Sequence, residues 1–390
     1  MNMLKLCFAA LFFFQCAPQQ KIKRKKKKHV PRIEKVSYFP KFDPIDTRSL
    51  KAEKRYANRF FHQILDKDRF NGQFLVAKNG VVLYYQVKGF SNYALNKNLT
   101  KESAMHVASI SKVATAICVL RLADAKKIDL DADIRKYLPS IPYKGVTVRM
   151  LLNHRSGIPY YGYFTYNTWP LSKTLHNDDL VELIQKHKFP LNFLPDTKFA
   201  YSNTNFALLA SIVEKVCRKK SPKVMQEWIF EPLEMKHTFI LESEGDLENQ
   251  SRSYNESMVE RKFEYLDAVY GDKNMYTTAL DLLKFDRATY SNHFLSDSMR
   301  RQMFKGYSHE KMNSNNYGLG IRIKAQKDRE TFFFHTGWWH GNTACYASLR
   351  SDTMCVIALS NVYTRSVYNL GMLAAKYGNY PFDYLKNPLD

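Results

Sequence analysis

Sequence patterns typical of β-strands lie at the two ends of the chain, with helical patterns between them. Phe74–Ala77 and Val81–Tyr84 flank an Asn-Gly pair, which favours a tight type I′ hairpin turn. Short β-branched or aromatic runs return near the C-terminus, over Leu319–Lys324, Thr331–Phe334, Thr343–Leu349 and Thr353–Leu359. Because early and late strands can share one sheet, this order predicts a single α+β domain with a helical insertion.

Helical patterns fill most of the remaining sequence. Apolar residues at helical spacing predict a helix over Leu50–Leu65 and a last helix over Val367–Tyr377. From residue 110 to about residue 240 the helical patterns are interrupted by proline and glycine. We therefore expect residues 48–390 to form one domain, preceded by a basic, proline-containing linker over residues 17–47.

The first sixteen residues have the pattern of an export signal. Leu4–Cys16 is an apolar stretch too short to span a bilayer, which takes about 20 residues. Cys16 resembles the lipid-modified cysteine of bacterial lipoproteins, although Gln15 stands where a small residue is usual. We expect residues 1–16 to be a lipoprotein signal peptide, with the protein exported and anchored through Cys16 in the cell envelope, in the periplasm or at the outer membrane. A plain secretory signal that is cleaved nearby is the alternative.

Positive charge is concentrated beside this leader. The chain has 59 Lys and Arg against 37 Asp and Glu, a net charge of +22, and residues 1–36 hold ten basic residues but one acidic residue. The densest run, Lys21–Lys28, is typical of a solvated arm that phosphates attract. Next to a lipid anchor, the expected partner of this run is an anionic membrane surface, and we expect no nucleic-acid partner.

Six cysteines occur in the chain, and two of them, Cys7 and Cys16, belong to the leader. The other four lie in apolar or helical contexts, where a cysteine usually acts as a small buried hydrophobe. Cys345 and Cys355 fall on two predicted strands that can be neighbours, so a disulfide between them stays open at this point.

Ser109 and Lys112 carry the strongest local signal for chemistry. They are three residues apart and so share one face of a helix, and the apolar run Val113–Leu122 predicts that this helix is buried. Ser109 would lie near the amino end of the helix, where backbone N–H groups and the helix dipole favour an oxyanion. Lys112 could then accept the serine proton. The alternative is a helix-capping serine with a surface lysine.

The same spacing occurs a second time, at Ser308 and Lys311. This copy runs into a polar stretch that ends at Asn316 and offers no helix to bury a lysine. The local context therefore favours Ser109 as the nucleophile.

Two more short motifs follow in the chain. Tyr201 and Asn203 lie just before an apolar helix, on a loop from which a phenol and an amide can project into a cleft. His335, Thr336 and Gly337 follow the predicted strand Thr331–Phe334, and a glycine on an edge strand lets a substrate backbone approach closely. For the histidine, a purely structural role is the alternative.

Taken together, the order S-x-x-K, Y-x-N and H-T-G resembles the serine β-lactamase and penicillin-binding-protein superfamily. The similar branch contains class C β-lactamases, D-alanyl-D-alanine carboxypeptidases and related esterases. The resemblance covers about residues 70–375, and the supporting stretches are Gly72–Ala77, Thr147–Pro159, Gly271–Thr278 and Tyr317–Gly320.

This resemblance implies a fold and a role for each motif residue. The fold would be an antiparallel β-sheet flanked by helices, with a helical subdomain and the cleft between them. Ser109 would attack an acyl carbonyl with Lys112 as base, and Tyr201 would relay protons. The implied substrate-binding residues are Asn203 for an amide, His335, Thr336 and Gly337 for a carboxylate and the substrate backbone, and Trp338, whose N–H would share the oxyanion hole with that of Ser109. Neither a metal nor a cofactor is implied.

Three positions depart from the family pattern. His335 stands where typical β-lactamases carry lysine, and because imidazole is mostly neutral at pH 7, carboxylate recognition and β-lactam turnover should weaken. Asp196 stands where a glycine is common before the tyrosine motif, and Arg155 replaces the usual threonine. Histidine is known at this place among peptidases of the branch, so hydrolase activity is still expected.

The sequence thus predicts an exported serine acyl-hydrolase that acts through an acyl-enzyme on Ser109. Its substrates would be D-amino-acid or cell-wall peptides, or esters, so the enzyme would be of the carboxypeptidase or esterase type. The alternatives are a β-lactamase proper and a catalytically silent binding protein on the same scaffold. The aromatic residues of the loop Tyr160–Trp169, together with Trp338 and Trp339, suggest an aromatic lip for an apolar acyl group or a sugar, or else ordinary packing of a loop.

Overall fold

The computed structural model describes residues 37–310, 314–383 and 387–389. The predicted signal peptide, Cys16 and the basic run Lys21–Lys28 lie outside the described residues. The last part of the predicted linker is described, and it packs on the domain. Tyr38 lies edge-on to Phe294 at 5.8 Å between ring centroids. The packed part of the chain therefore begins before residue 48, because aromatic side chains anchor this segment.

The strands form one large sheet and two small ones. They are β1 (Gly72–Lys78), β2 (Val81–Lys88), β3 (Phe90–Asn92), β4 (Lys97–Asn98), β5 (Met105–His106), β6 (Phe239–Ile240), β7 (Met275–Thr277), β8 (Asn315–Tyr317), β9 (Arg322–Lys324), β10 (Phe332–Trp339), β11 (Asn342–Leu349) and β12 (Met354–Ser360). The large sheet is antiparallel and seven-stranded, in the order β2-β1-β12-β11-β10-β9-β8. Because β1 pairs with β12, strands from both ends of the chain share this sheet, as the sequence predicts.

The first hairpin has the turn that its sequence favours. Asn79 and Gly80 adopt positive φ angles of 48° and 73°, as a type I′ turn requires at both central residues. Side chains of β1 then alternate between two cores. Phe74 packs in the core on one face of the sheet, while Leu75 packs in the core on the other face.

The helices cover both faces of the large sheet. They are α1 (Lys51–Phe60), α2 (Ser111–Asp124), α3 (Val148–Leu152), α4 (Tyr161–Thr168), α5 (Asn177–His187), α6 (Asn203–Cys217), α7 (Ser221–Met225), α8 (Ala279–Ala288), α9 (Asp297–Met303) and α10 (Gly371–Tyr377). Helices α1 and α10 contribute Phe60 and Leu373 to the core on one face. Helices α2 and α6 contribute Ile117 and Phe206 to the larger core on the other. This arrangement is the predicted antiparallel sheet with flanking helices and a helical subdomain.

The open question of a Cys345–Cys355 disulfide is answered by the register of β11 and β12. Cys345 faces Ala358 and Cys355 faces Ser348, so the two cysteines are not cross-strand partners. They also point to opposite faces of the sheet, into different cores, and both are free thiols. The disulfide is therefore ruled out by geometry.

Of the helices in the described part of the chain, none combines the length and the apolar character needed to cross a bilayer.

Candidate active site

Ser109 lies on a tight turn at the start of the buried helix α2. It is the middle residue of a 3₁₀ turn, Ala108–Ile110, that leads directly into the helix. Ala108 has φ of +47°, a left-handed conformation that is uncommon for a residue with a side chain. Such backbone strain is often found at functional sites, where it aims a side chain. Here it presents the Ser109 hydroxyl to a cleft.

Lys112 lies one turn further along α2 and is fully buried. Its Nζ lies 3.0 Å from Ser109 Oγ and donates to the main-chain oxygen of Asp272 at 2.7 Å. Nζ also lies 5.0 Å from the centroid of the Tyr201 ring. The structure therefore brings together the serine, the lysine and the tyrosine that the three motifs single out. An amine in this position can take the proton of the serine hydroxyl as the oxygen attacks.

His154 holds the loop that carries Tyr201. Its main-chain oxygen accepts from the N–H of Ala200 at 3.0 Å, and its Nδ1 accepts from the N–H of Ser202 at 3.2 Å. The rings of His154 and Tyr201 lie 4.3 Å apart between centroids. Burial and the nearby side chains of Lys112 and Arg322 hold the pKa of His154 well below its usual range, so the ring is a neutral acceptor. The sequence alone did not single out His154, because its partners lie about 50 residues away.

Asn203 begins helix α6 and lines the same cleft, whose volume is about 420 Å³. Its Oδ1 is buried, and no hydrogen-bond partner for it is found among the described residues. A buried carbonyl oxygen without a partner costs free energy unless a ligand supplies a donor. Asn203 is therefore well placed to accept a hydrogen bond from a substrate amide.

Thr336, Gly337 and Trp338 line the same cleft. They lie within β10, which is longer than the predicted strand Thr331–Phe334, so the motif forms part of the strand rather than following it. A side chain at Gly337 would place its Cβ 2.2 Å from the main-chain oxygen of Val107. The glycine thus lets β10 pack directly against the turn that carries Ser109.

His335, the first residue of the third motif, does not line the cleft, although its ring lies 6.5 Å from that of Tyr201 between centroids. It is fully buried, and its Nε2 lies 3.0 Å from the Tyr317 hydroxyl. Its Nδ1 faces the main-chain oxygen of Thr336 at 2.8 Å. Burial, together with the nearby side chains of Arg322 and Lys112, holds the pKa of His335 well below its usual range. The neutral ring expected from the sequence is what this environment favours, and its part in substrate binding stays a prediction.

Arg322 supplies a charge to the cleft that the motifs did not indicate. It lies on β9, and it is the one charged residue among the described residues that line the pocket around Ser109. Its guanidinium carbon lies 5.1 Å from the centroid of the Tyr201 ring. Its Nε is buried and has no partner within the described part of the chain. A guanidinium in this position can bind a carboxylate.

Only some of the residues suggested for the aromatic lip are exposed at the cleft. Tyr161 is fully buried, so it cannot form part of a lip. Trp339 lines the cleft, but its indole N–H donates to Asp267 at 2.7 Å. The exposed aromatic side chains at the cleft are Trp338, at 62% exposure, and Tyr163, at 77%. Trp338 and Tyr163 are therefore the candidates for contact with a bound acyl group.

The second S-x-x-K copy differs from the first in its surroundings. Ser308 lies in a separate pocket that shares Arg322 with the cleft, while Lys311 lies outside the described residues. In the part of the chain that the structure describes, we found no cluster of three or more His, Cys, Asp or Glu side chains suited to a metal ion.

The arrangement of the site defines a class of protein. A serine on a strained turn, a buried lysine at hydrogen-bond distance, and a tyrosine beside that lysine are the parts of an acyl-transferring serine hydrolase of the Ser–Lys type. They share a cleft with residues of β10, so the site lies where the antiparallel sheet meets the helices.

Comparison with known proteins identifies the family. The family model described as Beta-lactamase matches residues 57–375, and the chain belongs to this family. It is 27% identical over 358 residues to penicillin-binding protein 4* of Bacillus subtilis, a match that covers 87% of this chain and 79% of the relative. It is 25% identical over 225 residues to the teichoic acid D-alanine hydrolase of Staphylococcus aureus, covering 56% of this chain and 54% of that protein.

A solved structure agrees with the fold. The penicillin-binding protein from Bacillus halodurans superimposes with a TM-score of 0.74 at 22% identity, covering 81% of this chain and 99% of the other. The predicted superfamily and fold class are thereby confirmed. The protein is a serine acyl-hydrolase of the β-lactamase and penicillin-binding-protein superfamily.

Proposed function

We propose that this enzyme hydrolyses the acyl bond to a D-amino acid that carries a free carboxylate, as at the end of a cell-wall peptide. The observation that carries this proposal is Arg322, whose guanidinium lines the cleft. Because His335 is buried and neutral, Arg322 would bind the substrate carboxylate, a role that the sequence motif alone would give to position 335. Thr336 on the neighbouring strand lines the same cleft and would share the carboxylate.

The reaction would run through an acyl-enzyme. Lys112 would act as the general base and accept the Ser109 proton while Oγ attacks the substrate carbonyl carbon, and the N–H groups of Ser109 and Trp338 would stabilise the oxyanion. When the intermediate collapses, the bond to the leaving group breaks, and Tyr201 passes a proton to that group. A water molecule then attacks the acyl-enzyme and gives up a proton through the same residues. The products are the free acid, the released D-amino acid and Ser109 with its hydroxyl restored.

Two relatives support the substrate class. One is a penicillin-binding protein, and the other is named for hydrolysis of D-alanine on teichoic acid. An ester is the second candidate substrate, because the same acyl-enzyme chemistry serves both bonds and the exposed Trp338 and Tyr163 offer an apolar contact surface. Measuring how much Arg322 contributes to hydrolysis of a peptide and of an ester would distinguish the carboxypeptidase type from the esterase type.

The test compares Arg322→Gln with Lys324→Gln. Both changes remove a cation from β9, but Lys324 does not line the cleft. For D-Ala-D-Ala peptides we expect Arg322→Gln to raise KM by about 10- to 100-fold, since a charge-assisted hydrogen bond contributes about 1.5–3 kcal/mol. Hydrolysis of p-nitrophenyl acetate, which has no carboxylate, should change less than threefold. An equal loss on both substrates, or a wild-type enzyme that cleaves the ester but not the peptide, would contradict the peptidase assignment.

We also propose export and lipid anchoring, on the basis of the leader alone. Residues 1–16 would be a lipoprotein signal with Cys16 as the lipid-bearing residue, and Lys21–Lys28 would lie on anionic headgroups. Metabolic labelling with an alkyne fatty acid should tag the full chain and fail to tag Cys16→Ser, with Cys7→Ser as the matched control. Equal labelling of the wild-type chain and Cys16→Ser would contradict the anchor.

A further inference from the structure

A buried, charged group of three side chains lies behind Lys112 and takes no part in the steps above. It consists of Tyr161, the first residue of α4, and of Asp272 and Lys273, which precede β7. Their exposed fractions are 0%, 0% and 2%. Charged residues are almost never fully buried unless they are paired, so this cluster calls for a physical reason.

The three side chains form one hydrogen-bonded unit. The Tyr161 hydroxyl donates to Asp272 Oδ2 at 3.0 Å and accepts from Lys273 Nζ at 2.6 Å. Lys273 Nζ also lies between two rings, 5.2 Å from the centroid of Tyr161 and 4.9 Å from that of Trp339. The unit reaches the catalytic lysine directly, because the main-chain oxygen of Asp272 accepts from Lys112 Nζ at 2.7 Å.

The geometry points to a positioning role: we propose that Tyr161 and Lys273 fix Asp272, whose main-chain oxygen in turn orients the amine of Lys112 towards Ser109. A neutral amine has two hydrogens and one lone pair. When one hydrogen is held by the Asp272 oxygen, rotation of the amine is restricted, and the lone pair can face Ser109 Oγ, 3.0 Å from Nζ. This inference rests on the proposed acyl-enzyme on Ser109.

The charges of the unit explain why it can be buried. The Asp272 carboxylate is compensated by Lys273, whose Nζ lies 3.8 Å away. Burial lowers the pKa of Lys273, while Asp272 and Asp267 act in the opposite direction. Burial raises the pKa of Tyr161 well above its usual range, so its hydroxyl stays protonated and can donate.

The hydroxyl of Tyr161 is the sensitive point of the unit. Asp272 Oδ1 is buried without a hydrogen-bond partner in the described part of the chain, so the carboxylate relies on the bond from Tyr161 to Oδ2. Without that hydroxyl the buried carboxylate loses its donor and should move to find another. The main-chain oxygen of the same residue would move with it and release Lys112.

The test measures acylation by fluorescent penicillin over a range of probe concentrations. Tyr161→Phe removes the hydroxyl, and Tyr346→Phe is the matched control, because Tyr346 donates to buried Asp286 at 2.6 Å and does not line the cleft. We expect the maximal acylation rate of Tyr161→Phe to fall at least tenfold, while its half-saturating concentration changes less than threefold. The control should lose thermal stability but keep both kinetic values within twofold.

A second pair of variants guards against a simple folding defect. Lys273→Met leaves the Asp272 carboxylate without its cation, whereas adding Asp272→Asn restores neutrality and keeps an acceptor for Tyr161. The double variant should recover the maximal acylation rate to within about threefold of wild type. A Tyr161→Phe protein with the wild-type rate, or a folded double variant no faster than Lys273→Met alone, would overturn the inference. Absence of wild-type labelling would instead remove the proposed function, and the inference with it.

Discussion

At the scale of single residues, the structure relates two departures from the family pattern to each other. Arg155 Nε donates to the carboxylate of Asp196, and its Nη2 donates to the main-chain oxygen of the same residue. Its third contact is with the carboxylate of Glu310. Asp196 has φ of +64°, a conformation that glycine adopts without cost. The arginine therefore holds Asp196 in a left-handed backbone conformation, at the position where the family pattern leads us to expect glycine.

A double-variant cycle tests this compensation. Arg155→Thr should lower the free energy of unfolding by about 1–2 kcal/mol, because it removes a largely buried guanidinium and frees a strained residue. Adding Asp196→Gly should recover about 1 kcal/mol, since glycine tolerates positive φ. Urea denaturation of the four proteins gives the coupling. Strictly additive effects would mean that the two positions are independent.

Local spacing explains which site residues could be predicted. Ser109 and Lys112 share a helix face within one turn, so sequence alone places them together. Arg322 and Tyr161 could not be found this way, because their contacts with Tyr201 and Asp272 link residues more than 100 positions apart in the chain. Burial also changes the position expected for Tyr161: it lies in the interior beneath the site and is not exposed at its rim.

At the scale of elements, β10 connects the sheet to the nucleophile turn. Strand β11 pairs with β10 from Phe333 to Trp339, whereas β9 pairs with it from Phe332 to Phe334. In the described residues, the stretch next to the cleft thus has a strand neighbour on one side. The position of Gly337 against Val107 was not predictable, because it depends on how closely two distant backbones approach.

Gly337→Ala tests this close approach. The new Cβ would lie 2.2 Å from the Val107 oxygen, so either β10 or the turn that carries Ser109 must shift. Overpacking of this kind lowers the free energy of unfolding by about 1–3 kcal/mol. We expect lower stability to urea and acylation of Ser109 at least tenfold slower. Gly245→Ala is the control, because the nearest atom to its Cβ is 3.7 Å away. Equal behaviour of the two variants would show that the approach is not needed.

At the scale of the whole molecule, the order of the strand patterns in the sequence predicted that early and late strands share one sheet. The helical middle then packs on one face of that sheet, and the site lies at the junction. The register of the strands did not follow from the sequence. A shift of one residue reverses every side chain, and it was the register that separated Cys345 from Cys355.

The stability of the whole domain should depend on pH through three buried histidines. Burial lowers the pKa of His106 to about 3 and holds those of His154 and His335 well below the usual range. In the unfolded chain each titrates near 6.5, so below that pH the unfolded state binds protons that the folded state does not. Stability is therefore full above about pH 7 and falls as the pH is lowered.

Urea unfolding between pH 7.5 and 4.5 measures this dependence. Each such histidine contributes up to about 1.4 kcal/mol per pH unit below its unfolded pKa. His106→Asn should remove one proton from the uptake on unfolding and so lower the slope of the free energy of unfolding against pH. Substitution of the exposed His293 by Asn should leave this slope unchanged. A slope that is the same in all three proteins would contradict the neutral state of His106.

The measurement that tests the central claim most directly is covalent labelling of Ser109. The purified protein is incubated with fluorescent penicillin and, separately, with a fluorophosphonate probe, and the labelled peptide is identified by mass spectrometry. The account predicts one label on Ser109, its loss in Ser109→Ala, and its retention in Ser308→Ala, which alters the second S-x-x-K copy. A folded wild-type protein that neither probe labels, or labelling that survives in Ser109→Ala, would contradict it.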